Sequence, residues 1–204
     1  MAMPETHAGV AATPDDLLLG RVRGGDRPAR EELFRRHYGI AYRVAHRLLG
    51  NDHDALDAVQ DALMKAVAHL AEFDGRSEFR TWLLRIVTNA ALDVGRRRRR
   101  RPTVSLDDRS AVVGDDESGP ADVVGPSVDP GRNLHRADLR RQIDAALATL
   151  SPSTRSTFVL FAEAELSYKE IAACQGVPIG TVMSRLHYAR LKLQEHLKQT
   201  AAEA

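Results

Sequence analysis

Residues 166–197 read LSYKEIAACQGVPIGTVMSRLHYARLKLQEHL, and the punctuation of this stretch leaves little choice of local structure. Ser167 stands three residues before Glu170, the spacing at which a serine hydroxyl and a glutamate carboxylate close a capping box over a helix start. Ile171 and Ala172 give that helix an apolar face. Gly176 ends it, because glycine accepts the left-handed conformation of a helix stop without a Cβ clash. Val177 and Pro178 restart the chain, proline being suited to a first helical turn. In the second helix Val182, Leu186, Ala189, Leu193 and Leu197 share one stripe, and Thr181, Ser184, His187 and Tyr188, with Met183 close by, occupy the other side. Two helices joined by a glycine turn, the second with a polar outer face, form the layout that enters a DNA major groove. Many helical hairpins bind no DNA, so the rest of the chain has to decide.

The remaining sequence is also helical in pattern. Leu33, Phe34, His37, Tyr38, Ala41, Ala45, Leu48 and Leu49 recur at three- and four-residue steps. Asn51 or Asp52 is placed to cap a further helix with apolar positions Ala55, Leu56, Val59, Leu63, Ala66, Val67 and Leu70. Gly75 breaks the pattern, Ser77 is a candidate N-cap, and Phe79, Trp82, Leu83, Ile86, Val87 and Ala90 form a third stripe. After about Leu134 the stripe Leu139, Ile143, Ala146, Leu147 and Leu150 leads to Ser151-Pro152, a cap followed by a first-turn proline. Phe158, Val159, Phe161 and Ala162 are expected to supply the next core face. No segment alternates with period two over a useful length, so no sheet is expected. Aromatics make up only 5% of the 204 residues, which leaves the core to Leu, Val, Ile and Ala, as in helical bundles.

Between the helical parts, residues 102–131 carry four prolines and four glycines without apolar period. Asp107, Asp108, Asp115, Asp116, Glu117, Asp122 and Asp129 are opposed in sign only by Arg109. Such a stretch repels itself and joins domains rather than packing in one. The expected architecture is all-α: a disordered leader at 1–14, a helical domain at 15–101, a flexible acidic linker at 102–132, and a helix-turn-helix domain at 133–200. Net charge is +1 and indicates no partner, but Arg96 to Arg101 form an unbroken basic run. No apolar run approaches membrane-spanning length, and the N-terminus lacks the pattern of a secretory signal. Cys174 is the single cysteine, which suits a reducing cytoplasm. The histidines show no metal-ligand spacing, so neither metal nor cofactor is expected.

Several separate stretches together resemble the extracytoplasmic-function (ECF) sigma factors of bacterial RNA polymerase. Asp57-Ala58-Val59-Gln60-Asp61 resembles the helix that docks on the polymerase clamp. FDGRSEFRTW at 73–82 resembles the loop that recognises the minus-10 promoter element, and Leu84 to Asn89 resembles the helix after it. PIGTVMSRLHYAR at 178–190 resembles the helix that reads the minus-35 element. Ala62-Leu63, Asp74, Met183 and Tyr188 depart from the commonest residues of that family, the last two on the helix that sets sequence preference.

The resemblance implies a role for each surface. Asp57, Gln60, Asp61, Met64 and Lys65 would face core polymerase, while Leu56, Val59, Leu63 and Val67 are expected to turn inward. Arg76, Ser77, Arg80, Arg85, Asn89, Arg96, Arg97 and Arg98 would meet minus-10 DNA, with stacking and base-edge bonds holding the opened strand. Trp82 is read as core. Thr181, Met183, Ser184, Arg185, His187, Tyr188 and Arg190 would meet the minus-35 duplex, Arg185 reaching a phosphate or Glu170 rather than a base. Lys169 and Arg155 would add backbone contacts. The linker would thread the RNA path of the polymerase. The chain would then be an initiation subunit with no catalysis of its own, acting on promoter DNA with the polymerase core and held in check by an anti-sigma factor. Two alternatives remain at this level. One is an autonomous helix-turn-helix repressor or activator, binding duplex alone. The other is a serine recombinase, which needs an α/β domain that the helical pattern does not offer.

Overall fold

The computed structural model describes residues 14–100 and 141–203. The expected leader up to residue 13, the acidic linker, Arg101, and the start of the following helical part with Leu134 and Leu139 lie outside the described residues. Among the described residues every regular element is helical, and the chain divides into two compact units between Tyr38 and Gly39.

The first unit holds helix α1 (Asp15–Arg23) and the start of α2 (Arg27–Leu49). Asp15 and Asp16 lie in the first turn of α1 and Arg21 and Arg23 in its last, each sign favourable to the helix dipole. Asp26 takes an Ala29 N–H at 3.0 Å and pairs with Arg21, so one carboxylate tops α2 and ties it to the preceding turn. Asp15 reaches forward to His37 at 2.6 Å. Leu18, Leu19, Leu33 and Phe34 are buried.

In the second unit Ile40, Ala41, Val44, Ala45 and Leu48 continue α2 as a buried stripe. Asn51 caps α3 (Asp52–Ala68), its side-chain oxygen accepting the Asp54 N–H at 2.8 Å. The inward face of α3 keeps the expected stripe at Ala55, Val59 and Ala66 but departs from it at Leu56 and Val67. Ala55, Ala58, Val59, Ala62 and Ala66 are buried, whereas Leu56 is 44% exposed and Val67 also faces outward. Small residues let α3 lie close along α4 (Phe79–Arg100), so the alanine stripe wins the interface and the larger side chains are displaced to its far side. A short 3-10 turn (Leu70–Glu72) leads to Phe73, whose ring meets those of Phe79 and Trp82 at 5.9 and 5.2 Å. Trp82 is thus half-buried at the rim of an aromatic cluster. Ser77 does not cap α4. The helix begins two residues later, with the Trp82 N–H bonded to the Glu78 carbonyl.

The C-terminal helices are α5 (141–148), α6 (Pro152–Ala162), α7 (Tyr168–Gln175) and α8 (Ile179–Glu203). Ser151 caps α6 by accepting the Thr154 N–H, with Pro152 in the first turn as expected. The α6 core face is shifted from expectation. Ala162 is exposed, and Leu160, Ala164 and Leu166 are buried with Val159. The reason is the turn after α6, where Glu165 adopts φ +51° and folds Ala164 and Leu166 back beneath the helix. On α8 the stripe Val182, Leu186 and Ala189 is buried, but Leu197 is 45% exposed. None of the described helices is long and apolar enough to cross a membrane.

Candidate nucleic-acid interface

The helix-turn-helix forms as its punctuation requires. The Ser167 hydroxyl takes the Glu170 N–H at 3.3 Å, and the Ser167 N–H donates to the Glu170 carboxylate at 2.8 Å. The Ser167 hydroxyl bond, above all, holds the Glu170 carboxyl below the ordinary glutamate range, helped by the Ser167 N–H, the Thr81 hydroxyl and the charge of Arg80. Gly176 sits at φ +65°, the left-handed stop. The Thr181 N–H then bonds the Pro178 carbonyl at 2.9 Å and opens α8.

One residue central to this motif escaped the sequence reading. Gln175 donates from Nε2 to the Ser156 hydroxyl at 2.9 Å. Its Oε1 accepts from Arg185 at 3.1 Å and lies 2.9 Å from the Thr157 hydroxyl. A single amide thereby ties α6, α7 and α8 together. Arg185 therefore turns inward to Gln175 rather than to Glu170, which is held by Ser167 and Thr81. The buried Ser156 and Thr157 were the only available signal, since buried hydroxyls on an apolar helix need partners.

The opposite side of α8 is open. Met183 is 55% exposed and Tyr188 50%, with Ser184, His187 and Arg190 exposed beside them and Thr181 half-buried at the helix start. Methionine and tyrosine there offer apolar contact, for which a thymine methyl is the matching groove feature, and the hydroxyl and imidazole offer hydrogen bonds to base edges. Lys169 is exposed on α7. Arg155 is half-buried and already engaged, donating to the Leu48 and Ala148 carbonyls. Desolvation lowers its pKa, with the charge of Arg99 acting in the same direction.

The residues expected at the minus-10 element are more scattered. Arg76 is exposed and pairs with Asp74 at 2.8 Å, Arg85 and Asn89 are exposed, and Ser77 is half-buried. Arg80 is engaged, donating to the Ala164 carbonyl at 2.8 Å. Within the arginine run, Arg96 pairs with Asp93 and Arg98 with Asp54, while Arg97 is exposed. On α3, Leu56, Asp57, Gln60, Met64, Lys65 and Val67 are all exposed and Asp61 is half-buried. The correction at Leu56 and Val67 makes this outer face more apolar than the sequence implied.

Cys174 is buried on α7, and desolvation pushes its thiol up to about 12, against the opposing charge of Arg85. It is inert packing at neutral pH.

Comparison with known proteins covers both blocks. The profile of Sigma-70 region 2 matches residues 33–101 and that of Sigma-70 region 4 matches residues 140–193. The chain is 36% identical over 177 residues to the ECF RNA polymerase sigma factor SigE of Mycolicibacterium smegmatis, covering 86% of this chain and 64% of that protein. It is 31% identical to the ECF RNA polymerase sigma factor SigW of Bacillus subtilis, covering 88% of this chain and 95% of that protein. Among solved structures, CnrH in complex with the cytosolic domain of CnrY matches at TM-score 0.66 and 26% identity, covering 91% of this chain and 97% of that one. The sigma factor RpoE of Bartonella quintana, bound to the anti-sigma factor NepR, matches at TM-score 0.60 and 29% identity, covering 82% of this chain and 96% of that one.

Proposed function

The chain belongs to the extracytoplasmic-function sigma factors of RNA polymerase, and from that premise we infer that it binds the core enzyme, directs it to a two-part promoter and helps hold the strands open. The polymerase performs the chemistry. The observation that carries the reading is the outward side of α8, where Met183, Ser184, His187 and Tyr188 are presented together while Val182, Leu186 and Ala189 anchor the helix from behind. A region 2 match over the first block removes the support for an autonomous repressor, which has no need of that block.

Each surface takes one task. The outer face of α3, with Leu56, Gln60, Met64 and Val67 flanked by Asp57, Asp61 and Lys65, docks on the polymerase, its apolar centre and charged rim having the composition of an interface. Arg76, Ser77, Arg80, Arg85 and Asn89 meet the minus-10 element, and Arg96, Arg97 and Arg98 meet phosphates beside it. Thr181, Met183, Ser184, His187, Tyr188 and Arg190 read the minus-35 duplex, and Arg185 holds the turn that aims them. Phosphate contacts orient the domain and base contacts select the sequence. The two solved relatives were captured in complexes, one with the cytosolic domain of CnrY and one with the anti-sigma factor NepR, and an anti-sigma factor is the corresponding partner here. The site of action is the cytoplasm, where the polymerase works.

The test is transcription by purified bacterial core polymerase on fragmented DNA of the source genome, with and without this protein. Discrete transcripts that depend on the protein support the reading and reveal the promoter. Absence of both transcripts and co-migration with an active core overturns it.

A further inference from the structure

Gln175 is the last residue of α7, one position before the left-handed stop at Gly176, and its amide bonds to α6 and to α8. The orientation of that amide is forced. A guanidinium only donates, so the amide oxygen has to face Arg185, at 3.1 Å. The nitrogen then faces Ser156 at 2.9 Å, and Ser156 gives its own proton to the Ser153 carbonyl at 3.0 Å. The Gln175 oxygen also lies 2.9 Å from the Thr157 hydroxyl, whose single proton is shared with the Ser153 carbonyl at 2.8 Å. Ser156 is 1% exposed and Thr157 0%, on a helix whose neighbouring residues Val159 and Leu160 are apolar core. Buried hydroxyls and amides are costly unless bonded, and alanine, valine and leucine at 156, 157 and 175 would fill the same space without that cost. Stability alone gives no reason for the network. What it adds is direction.

The buried stripe of α8, Val182, Leu186 and Ala189, is held by apolar contact, which is non-directional. A hydrogen bond, by contrast, weakens steeply off its line. Arg185 is half-buried, four residues after Thr181 and three before Tyr188, so it borders the open side of α8. Holding its guanidinium at the α7 stop fixes the roll of Met183, Ser184, His187 and Tyr188 relative to the turn. The bond is charge-assisted, which strengthens it over a neutral one. Base edges are read by hydrogen bonds and close apolar contacts, and side chains that read them need a support that is itself locked. We propose that Gln175 is a positioning residue for promoter selection: through Arg185 its amide sets the roll of α8, and so how sharply the minus-35 element is read, without itself touching DNA. This rests on the sigma-factor reading of α8.

The experiment assembles the full chain with purified bacterial core polymerase, presents a randomised duplex library, and sequences the retained fragments. Selectivity is the ratio of favoured sequence to its single-base variants, taken separately at the upstream and downstream elements. The first variant combines Ser156→Ala, Thr157→Val and Gln175→Leu, which replaces the network by apolar groups of similar shape. Its urea midpoint should equal or exceed the parent's, while selectivity at the upstream element falls several-fold and at the downstream element stays unchanged. Gln175→Leu and Arg185→Met should each give that same loss, and the two together no more, because they break one coupling. Gln175→Glu should stay near the parent, since a carboxylate still accepts from Arg185 and Thr157. Parent selectivity in the apolar variant overturns the proposal. So do additive losses from Gln175→Leu and Arg185→Met, which would put Arg185 on DNA independently, and equal losses at both elements. Should the apolar variant lose its helices by circular dichroism, Gln175→Glu against Gln175→Leu decides, and equal selectivity in those two overturns the proposal. A parent that enriches no two-part element fails the sigma-factor reading itself and takes this proposal with it.

Discussion

Helices α4 and α8 carry the candidate DNA contacts, and they are packed in opposite ways. Around α4, Phe79, Leu83, Val87 and Ala90 are buried on one side and Thr81, Leu84 and Thr88 on another, leaving only projecting groups such as Arg85, Asn89 and the terminal arginines. Around α8 a single stripe is buried and the opposite side is open. A helix that lies in a major groove has to leave one side for base edges, and α8 does so. A helix enclosed on two sides can serve nucleic acid only through side chains that project between those sides, its ends and the loop before it. That division suits a protein that reads duplex at one element and opened strand at the other.

The comparison can be broken most strongly from behind α8. Leu186→Ala removes a fully buried side chain and should cost about 2–5 kcal/mol of stability, read from urea unfolding. Met183→Ala, on the open side of the same helix, should shift stability by less than about 0.5 kcal/mol while weakening binding to minus-35 duplex. Equal losses of stability in the two variants would mean that α8 has no free side. Gly176→Ala should cost about 1–2 kcal/mol, because the φ of +65° is strained for alanine even though its Cβ would meet open space.

Ser167→Ala should cost about 1 kcal/mol, the usual loss for a helix cap. Its effect should depend on pH. The Glu170 carboxyl is held down chiefly by the Ser167 hydroxyl, so its contribution is complete above the ordinary glutamate pKa and is lost as pH falls through the depressed folded-state value. The gap in urea midpoint between parent and Ser167→Ala should therefore shrink between about pH 7 and about pH 3. The smallest effect lies on α4. The Thr88 hydroxyl is buried with no hydrogen-bond partner among the described residues, and Thr88→Val should be neutral or stabilising by up to about 1 kcal/mol. A loss instead would reveal a polar role on the side of α4 that faces away from Phe79 and Leu83.

Local grammar was read correctly at most places where a single residue type decides a backbone event. Ser151, Ser167, Glu170 and Gly176 are placed as expected, since a cap or a left-handed stop depends on residues within one turn. Most of the misreadings involve which side of a helix its neighbour chooses. Hydrophobicity favoured Leu56 and Val67 for the inner face of α3, but the close approach of α4 selects Ala58 and Ala62 beside the expected Ala55 and Ala66. Ser77 had the right chemistry for a cap, but the Phe73, Phe79 and Trp82 cluster fixes where α4 enters the core, two residues on.

The candidate site divides along the same line. The outward group on α8 was legible because period alone sorts a helix with one buried stripe. Gln175 was not, because its value lies in reaching Ser156, Thr157 and Arg185 on two other helices. Nor was the engagement of Arg80 and Thr81, whose partners Ala164 and Glu170 are far away in sequence. The sequence by itself determined the helices, most of their caps, the turn of the DNA-reading motif and the family. Tertiary structure alone decided which faces are inner and which arginines are already engaged, because both depend on the distance of approach between helices that no local pattern encodes.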